Sequence, residues 1–124
     1  MDQPSTPPLV VIVDDDEAVR TSLAITAELD GYRVETCGSG EALLQLQLPV
    51  SRACLVIDER LSGLSGLRVL GQLRRSGCAL PAVLITSHPS RQLRWSAARA
   101  GAPILEKPLL GDGLIGWIRA VAPK

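Results

Sequence analysis

Leu9-Val10-Val11-Ile12-Val13 runs directly into Asp14-Asp15-Asp16, an apolar, largely β-branched stretch that ends in acids. A run without polar alternation is the pattern of a strand buried on both faces, the situation inside a parallel sheet covered by helices. The same pattern returns at Ala53-Cys54-Leu55-Val56-Ile57, again followed by an acid, Asp58. Working outward, shorter apolar runs at Arg33 to Cys37, Ala82 to Ile85 and Pro103 to Leu105 supply the remaining strands. The intervening segments keep helical spacing, as in Ala18, Ser22, Ile25 and Leu29, or in Leu67, Leu70, Leu73 and Arg74. Asp16 suits the cap of the first helix, while Asp30-Gly31 and Gly77 suit helix ends. Strands alternating with helices imply parallel pairing through right-handed crossovers, and so an α/β, doubly wound parallel sheet of five strands.

With 124 residues, 46% of them hydrophobic, the chain can bury one adequate core. One domain from Leu9 to Val121 is expected, preceded by a flexible proline-rich and polar tail from Met1 to Pro8. There is no Phe, so Leu, Val, Ile and Ala must fill the interior. Thirteen basic residues balance thirteen acidic ones, which gives no net charge to draw the chain to nucleic acid or to a membrane surface. The first residues lack the basic start and apolar stretch of a secretory signal, and no apolar run has the length of a membrane span. Cys37, Cys54 and Cys78 are odd in number and form no Cys-x-x-Cys pair, as for buried, reduced thiols of a cytoplasmic protein.

In a sheet of strand order 2-1-3-4-5, ligands bind beyond the carboxyl ends of the strands, at the crevice between strands 1 and 3. Val13-Asp14-Asp15 and Ile57-Asp58 arrive there together. Thr86 ends the fourth strand and Lys107-Pro108 follows the fifth. Asp58 follows Asp15 by 43 residues, Thr86 follows Asp58 by 28, and Lys107 follows Thr86 by 21. These separations match whole strand-helix units, so all four positions fall on one edge of the sheet. Carboxylates gathered there repel one another by about 4 kcal/mol per pair at about 4 Å in a medium of dielectric about 20. A cation is therefore needed, and oxygen ligands favour Mg²⁺ or Mn²⁺. Lys107, one of only two lysines in the chain, adds a compact positive charge able to pair with a phosphoryl oxygen.

The motifs Val13-Asp14-Asp15, Asp58-x-x-Leu61-x-Gly63-x-Ser65-Gly66, Ile85-Thr86-Ser87 and Lys107-Pro108 together resemble the receiver domain of two-component response regulators. The resemblance covers the chain from about Leu9 to Val121 and implies a flavodoxin-like three-layer sandwich. It implies that Asp58 is the phosphoacceptor, that Asp14, Asp15, Asp58 and the Arg60 main-chain carbonyl hold the metal, and that Thr86 and Lys107 bind the phosphoryl group. The partners implied are a histidine kinase or phosphotransfer protein, and a downstream protein or a second copy docking on the fourth helix, fifth strand and fifth helix. Such a domain is a phosphoacceptor and not a conventional enzyme. Asp16 would permit a register one residue later, but its fit to the helix cap favours Asp14 and Asp15.

The chain departs from the family pattern at several positions. Ser62 stands where Pro is usual, which removes a restraint worth roughly 0.4–1 kcal/mol through the unfolded chain. Glu59 adds an acid beside Asp58, readable as an influence on cation or donor or as a solvated loop charge. Ile104 stands where Tyr or Phe is common, and Leu109 where Phe is common, so the output switch is expected to be altered. His88 and Arg60 fall at positions that flank the path of attacking water in the family. On the fourth helix Arg91, Arg94, Trp95 and Ala98 share one face, opposite Leu93, Ala97 and Ala100. Trp117 falls on a stripe with Leu110, Leu114, Ile118 and Val121 and is expected in the core. Two rival readings fit the sequence less well: a receiver-fold interaction module that acts without phosphorylation, and an aspartyl-nucleophile phosphatase. The second lacks the additional Asp expected two residues after the nucleophile, since Arg60 is there.

Overall fold

The computed structural model describes residues 6–109 and 111–124. Five strands alternate with five helices: β1 (Leu9–Val13), α1 (Glu17–Leu29), β2 (Arg33–Cys37), α2 (Gly40–Leu44), β3 (Ala53–Asp58), α3 (Gly66–Arg75), β4 (Ala82–Thr86), α4 (Arg91–Arg99), β5 (Ile104–Glu106) and α5 (Gly113–Val121). All pairings are parallel, and the sheet order is β2-β1-β3-β4-β5. The doubly wound α/β architecture and strand order read from the sequence are those of the structure.

Alternation along the strands divides the interior in two. Val11, Val13, Leu55, Ile57 and Leu84 pack on one face with Leu43 of α2, Val69, Leu70 and Leu73 of α3, and Ala97 of α4. Val10, Ile12, Val56, Val83 and Ile85 pack on the other with Ala27 of α1 and Ile118 of α5. Each such aliphatic side chain taken fully out of water contributes about 1.5–3 kcal/mol. The central strands carry most of this because both of their faces are covered; β1 and β3 are buried along their whole length.

Side-chain caps begin α1 to α4, and glycines end α1 and α3. Asp16 Oδ1 accepts from the Ala18 and Val19 N–H groups at 2.9 and 3.3 Å, as anticipated for a cap. Gly31 and Gly77 adopt φ of 96° and 97°, the left-handed conformation that ends α1 and α3 and favours glycine.

Several elements differ from the sequence reading in detail. β3 extends one residue further, to Asp58, because that residue still pairs in the ladder, while β4 ends at Thr86 as the sequence reading placed it. β5 begins at Ile104: Pro103 has no N–H to donate, although its carbonyl accepts from Leu84 N–H at 3.0 Å. The helical spacing of Ala18, Ser22, Ile25 and Leu29 is real, but that stripe faces solvent, with Leu29 85% and Ile25 50% exposed. The packed face of α1 is Leu23, Ala24 and Ala27. Cys37 and Cys54 are buried, whereas Cys78 is only half-buried, and all three are free thiols. Trp117 is half-buried against the α1 and α5 side of the core, while Leu110 of the same stripe lies outside the described residues.

The segment read as a tail from Met1 to Pro8 lies outside the described residues as far as residue 5. Beyond it, the Thr6 and Pro7 carbonyls accept from Arg52 Nη1 and Arg33 Nε, both at 2.9 Å, and Pro8 is buried. Among the described residues, no helix is long and apolar enough to cross a membrane.

Candidate functional site

At the carboxyl ends of the strands, each chain segment turns immediately after its last ladder bond and leaves one polar side chain at the sheet edge. Beyond β1, Asp14 N–H still donates to the Cys37 carbonyl at 3.1 Å, and Asp14 Oδ1 accepts from Asp16 N–H at 2.9 Å. Arg20 clamps the turn from α1, its Nη1 donating to the Asp14 carbonyl at 2.7 Å. Beyond β3, Glu59 N–H continues the ladder to the Ile85 carbonyl at 2.9 Å, and Asp58 Oδ1 accepts from Arg60 N–H at 2.9 Å. Lys107 is placed by its own N–H, which donates to the Thr86 carbonyl at 2.9 Å and so extends the β4–β5 pairing by one step. Its Nζ reaches Asp58 Oδ2 at 2.7 Å.

Among the described residues, Asp14 and Asp58 are the buried charged ones, 3% and 5% exposed. Burial pushes the Asp14 carboxyl up to about 6; Asp16 N–H pulls it down, the adjoining Asp58 carboxylate raises it further, and Lys107 lowers it. The hydrogen bond to Asp58 holds the Lys107 ammonium above its usual range against the opposing effect of burial. Two buried acids in contact, with one lysine between the cleft and the strand end, leave negative charge in excess. Oxygen donors surround it, which is the chemistry that fits a hard divalent cation. Asp15 is the acid that stands apart: it is exposed, and its Oδ2 accepts from Ser62 N–H at 3.2 Å and Ser62 Oγ at 3.1 Å. Accordingly, among the described residues, no three His, Cys, Asp or Glu side chains converge as a metal cluster.

Asp58, Arg60, Thr86, Ser87, His88 and Lys107 line one cleft of about 320 Å³. The structure therefore brings Asp58, Arg60, Thr86 and Lys107 of the sequence-derived set together, with Asp14 beside Asp58 and Asp15 turned to the β3–α3 loop. His88 and Arg60 stand at its exposed rim.

Two features escaped the sequence. Glu59 is neither a free loop charge nor a cleft residue: its Oε1 accepts from Leu67 N–H at 2.7 Å and so caps α3 from the preceding loop. Burial raises its carboxyl above the usual range, and the Leu67 N–H offsets part of that rise. Gly66 is required by close approach, since a Cβ there would lie 2.5 Å from the Asp58 carbonyl oxygen. The Asp58-to-Gly66 spacing held the only sequence signal for this contact.

On the neighbouring surface, Trp95 is 61% exposed and stacks with Arg99, whose guanidinium carbon lies 4.8 Å from the ring centroid. Arg94 pairs with Glu106 at 2.8 Å, tying α4 to β5.

Comparison with known proteins agrees with this arrangement. The transcriptional regulatory protein FixJ of Azorhizobium caulinodans is 38% identical over 112 residues, covering 90% of this chain and 53% of that protein. The crystal structure of FixJ-N superposes with a TM-score of 0.84 at 33% identity, covering 94% of each chain. The Thermotoga maritima response regulator protein TrrA, solved in complex with Mg²⁺-BeF, has the same fold, with a TM-score of 0.79 at 22% identity over 92% of this chain and 98% of that one. The chain spans about half the length of most curated relatives it matches, among them nodulation protein W of Bradyrhizobium diazoefficiens, of which it covers 53%. The family model described as "Response regulator receiver domain" matches residues 10–119, nearly the whole sheet and its helices. With this strand order and this cleft, the chain belongs to the response regulator receiver domain family of two-component systems.

Proposed function

We propose that Asp58 accepts a phosphoryl group from a phosphohistidine of a histidine kinase or phosphotransfer protein. The observation that carries this reading is the buried Asp58 carboxylate held between Lys107 Nζ and the Arg60 N–H at the floor of an open cleft. In the transfer, an Asp58 carboxylate oxygen forms a bond to phosphorus as the phosphorus–nitrogen bond of the donor breaks. The imidazole leaves with the bonding pair, neutral because its other nitrogen carries a proton, and Asp58 is left as an acyl phosphate. Lys107 moves its charge from the carboxylate to a phosphoryl oxygen, and the Thr86 hydroxyl donates to another. Positioning and charge neutralisation supply the rate, as in phosphoryl transfer generally.

Asp14, Asp15, Asp58 and the Arg60 carbonyl would hold Mg²⁺ or Mn²⁺, whose chemistry there is to neutralise the carboxylates and the phosphoryl oxygens. The Thermotoga protein TrrA, solved in complex with Mg²⁺-BeF, lends support to a divalent cation bound by a protein of this fold. The unit that carries the site is the segment from Leu9 to Val121. We place its chemistry in the cytoplasm, a setting consistent with its three free thiols. His88 and Arg60, at the rim, are placed to tune access of water to the acyl phosphate. The surface of α4, β5 and α5 is the proposed face for a downstream protein or a second copy, with Trp95 as its anchor.

Acetyl phosphate with Mg²⁺, followed by intact-mass measurement, tests the reading. The wild type should gain one phosphoryl group and Asp58→Asn none. Equal labelling of Asp58→Asn would refute the assignment, and no labelling of the wild type by either a small donor or a kinase domain would favour an interaction module that acts without phosphorylation.

A further inference from the structure

Asp15 is held differently from the other two acids of the crevice. Asp14 and Asp58 are buried and fixed by bonds within their own turns, whereas Asp15 is exposed and tied across the molecule to Ser62. Both Ser62 donors, the N–H at 3.2 Å and the hydroxyl at 3.1 Å, converge on one oxygen, Asp15 Oδ2. The partners are 47 residues apart, so this contact joins the end of β1 to the loop between β3 and α3. That loop is itself pinned at its far end, where Gly66 N–H donates to the Glu59 carbonyl at 3.0 Å and Leu67 N–H to the Glu59 carboxylate. Ser62 is therefore not free to follow Asp15 if the carboxylate rotates toward Asp58. A proline at position 62 could donate neither bond, because it has no N–H and no hydroxyl.

We propose that Ser62 is a positioning residue that holds Asp15 outside the cation-binding arrangement, so that uptake of a divalent cation requires release of this grip. The inference rests on the reading of Asp14, Asp15 and Asp58 as ligands of the cation. Mg²⁺ demands near-octahedral oxygen placement at about 2.0–2.1 Å and does not adapt to a ligand that lies elsewhere. The Oδ2 lone pairs aimed at Ser62 must be redirected, and hydrogen bonds to an ionised acceptor are among the stronger ones. At an exposed position they remain weak enough to be broken by a hard cation and strong enough to lower its affinity.

The test is a Mg²⁺ titration of the isotope-labelled full chain, followed by amide NMR shifts without any phosphodonor. Ser62→Ala, which lacks the hydroxyl, should bind Mg²⁺ about three- to tenfold more tightly than wild type. Ser62→Pro, which lacks both donors, should gain at least as much, and Ser62→Thr, which keeps both, should bind like the wild type. In the wild type the Ser62 amide should move toward the shift of an unbonded N–H as Mg²⁺ saturates. Equal or weaker binding by Ser62→Ala and Ser62→Pro, or a Ser62 amide unmoved at saturation, overturns the grip while leaving the cation site standing. Absence of Mg²⁺ binding by all four proteins overturns it together with the cation reading.

Discussion

At the scale of single residues, the half-buried acid Asp30 makes a pH-dependent contribution that can be given a sign. Arg119 Nε donates to Asp30 Oδ2 at 2.9 Å, Arg119 Nη2 donates to Oδ1, and Lys124 bonds the Asp30 carbonyl. The Arg119 guanidinium holds the Asp30 carboxyl below its ordinary value. A lowered folded-state value contributes stability that is present above the unfolded value, about 3.9, and is lost as pH falls through the folded one. Between about pH 6 and about pH 3, the urea midpoint of the wild type should therefore fall further than that of Asp30→Asn; equal falls would show that the pair contributes nothing. Because Arg119 is exposed while Asp30 is half-buried, added salt should shrink the difference only in part. The sequence disclosed only half of this residue. Asp30-Gly31 is legible as a helix end because capping is local, but a partner 89 residues away leaves no local trace. Glu59 was opaque for a related reason: it caps α3 from outside the cap position, where Ser65 already accepts from Arg68 N–H at 3.2 Å. Asp14, Asp58 and Lys107 were legible because each stands at a strand end whose place follows from the strand pattern alone.

At the scale of elements, periodicity revealed the helices but not always the face they bury. The Ala18, Ser22, Ile25 and Leu29 stripe of α1 is as regular as the Leu23, Ala24 and Ala27 face, and only packing against β1 and the strands beside it distinguishes them. The central strands β1 and β3 were easier, because a buried parallel strand is apolar throughout and offers no face to mistake. The junction of β3 and α3 carries the sharpest prediction at this level. A methyl group at position 66 would sit 2.5 Å from the Asp58 carbonyl oxygen and 3.0 Å from Glu59 Cα, both backbone atoms that cannot yield without moving the strand end. Gly66→Ala should cost about 1–3 kcal/mol in urea unfolding, as for overpacking generally. It should also slow acetyl-phosphate labelling of Asp58, since the turn that orients the carboxylate is displaced. A variant with wild-type stability and labelling would mean that α3 can retreat without disturbing the cleft.

At the scale of the whole molecule, the sheet order and both halves of the core follow from the sequence pattern, whereas the response of the outer surface to the cleft is predicted to turn on the half-buried Ile104. Ile104 packs against the α2, α3 and α4 side of the core, next to Leu84 in the ladder. An aliphatic side chain is equally at ease in an apolar pocket before and after Thr86 moves, and a ligand shifts an equilibrium only through its differential interaction with the two states. With beryllofluoride and Mg²⁺, amide shifts should change strongly around Asp58, Thr86 and Ser87 and weakly across α4 and β5. Changes throughout Arg91 to Leu105 as large as those around Asp58 would show a working switch that needs no aromatic ring. The arrangement of the cleft also bears on how the protein is made. Its acids arrive with β1 and β3, Thr86 with β4, and the lysine that balances them only after β5, the last strand to be synthesised and an edge of the sheet. Until β5 docks, Asp14 and Asp58 therefore lack the lysine that offsets their charge in the assembled fold. On the proposed reading, readiness of Asp58 to accept a phosphoryl group would in this way report that the sheet itself is fully assembled.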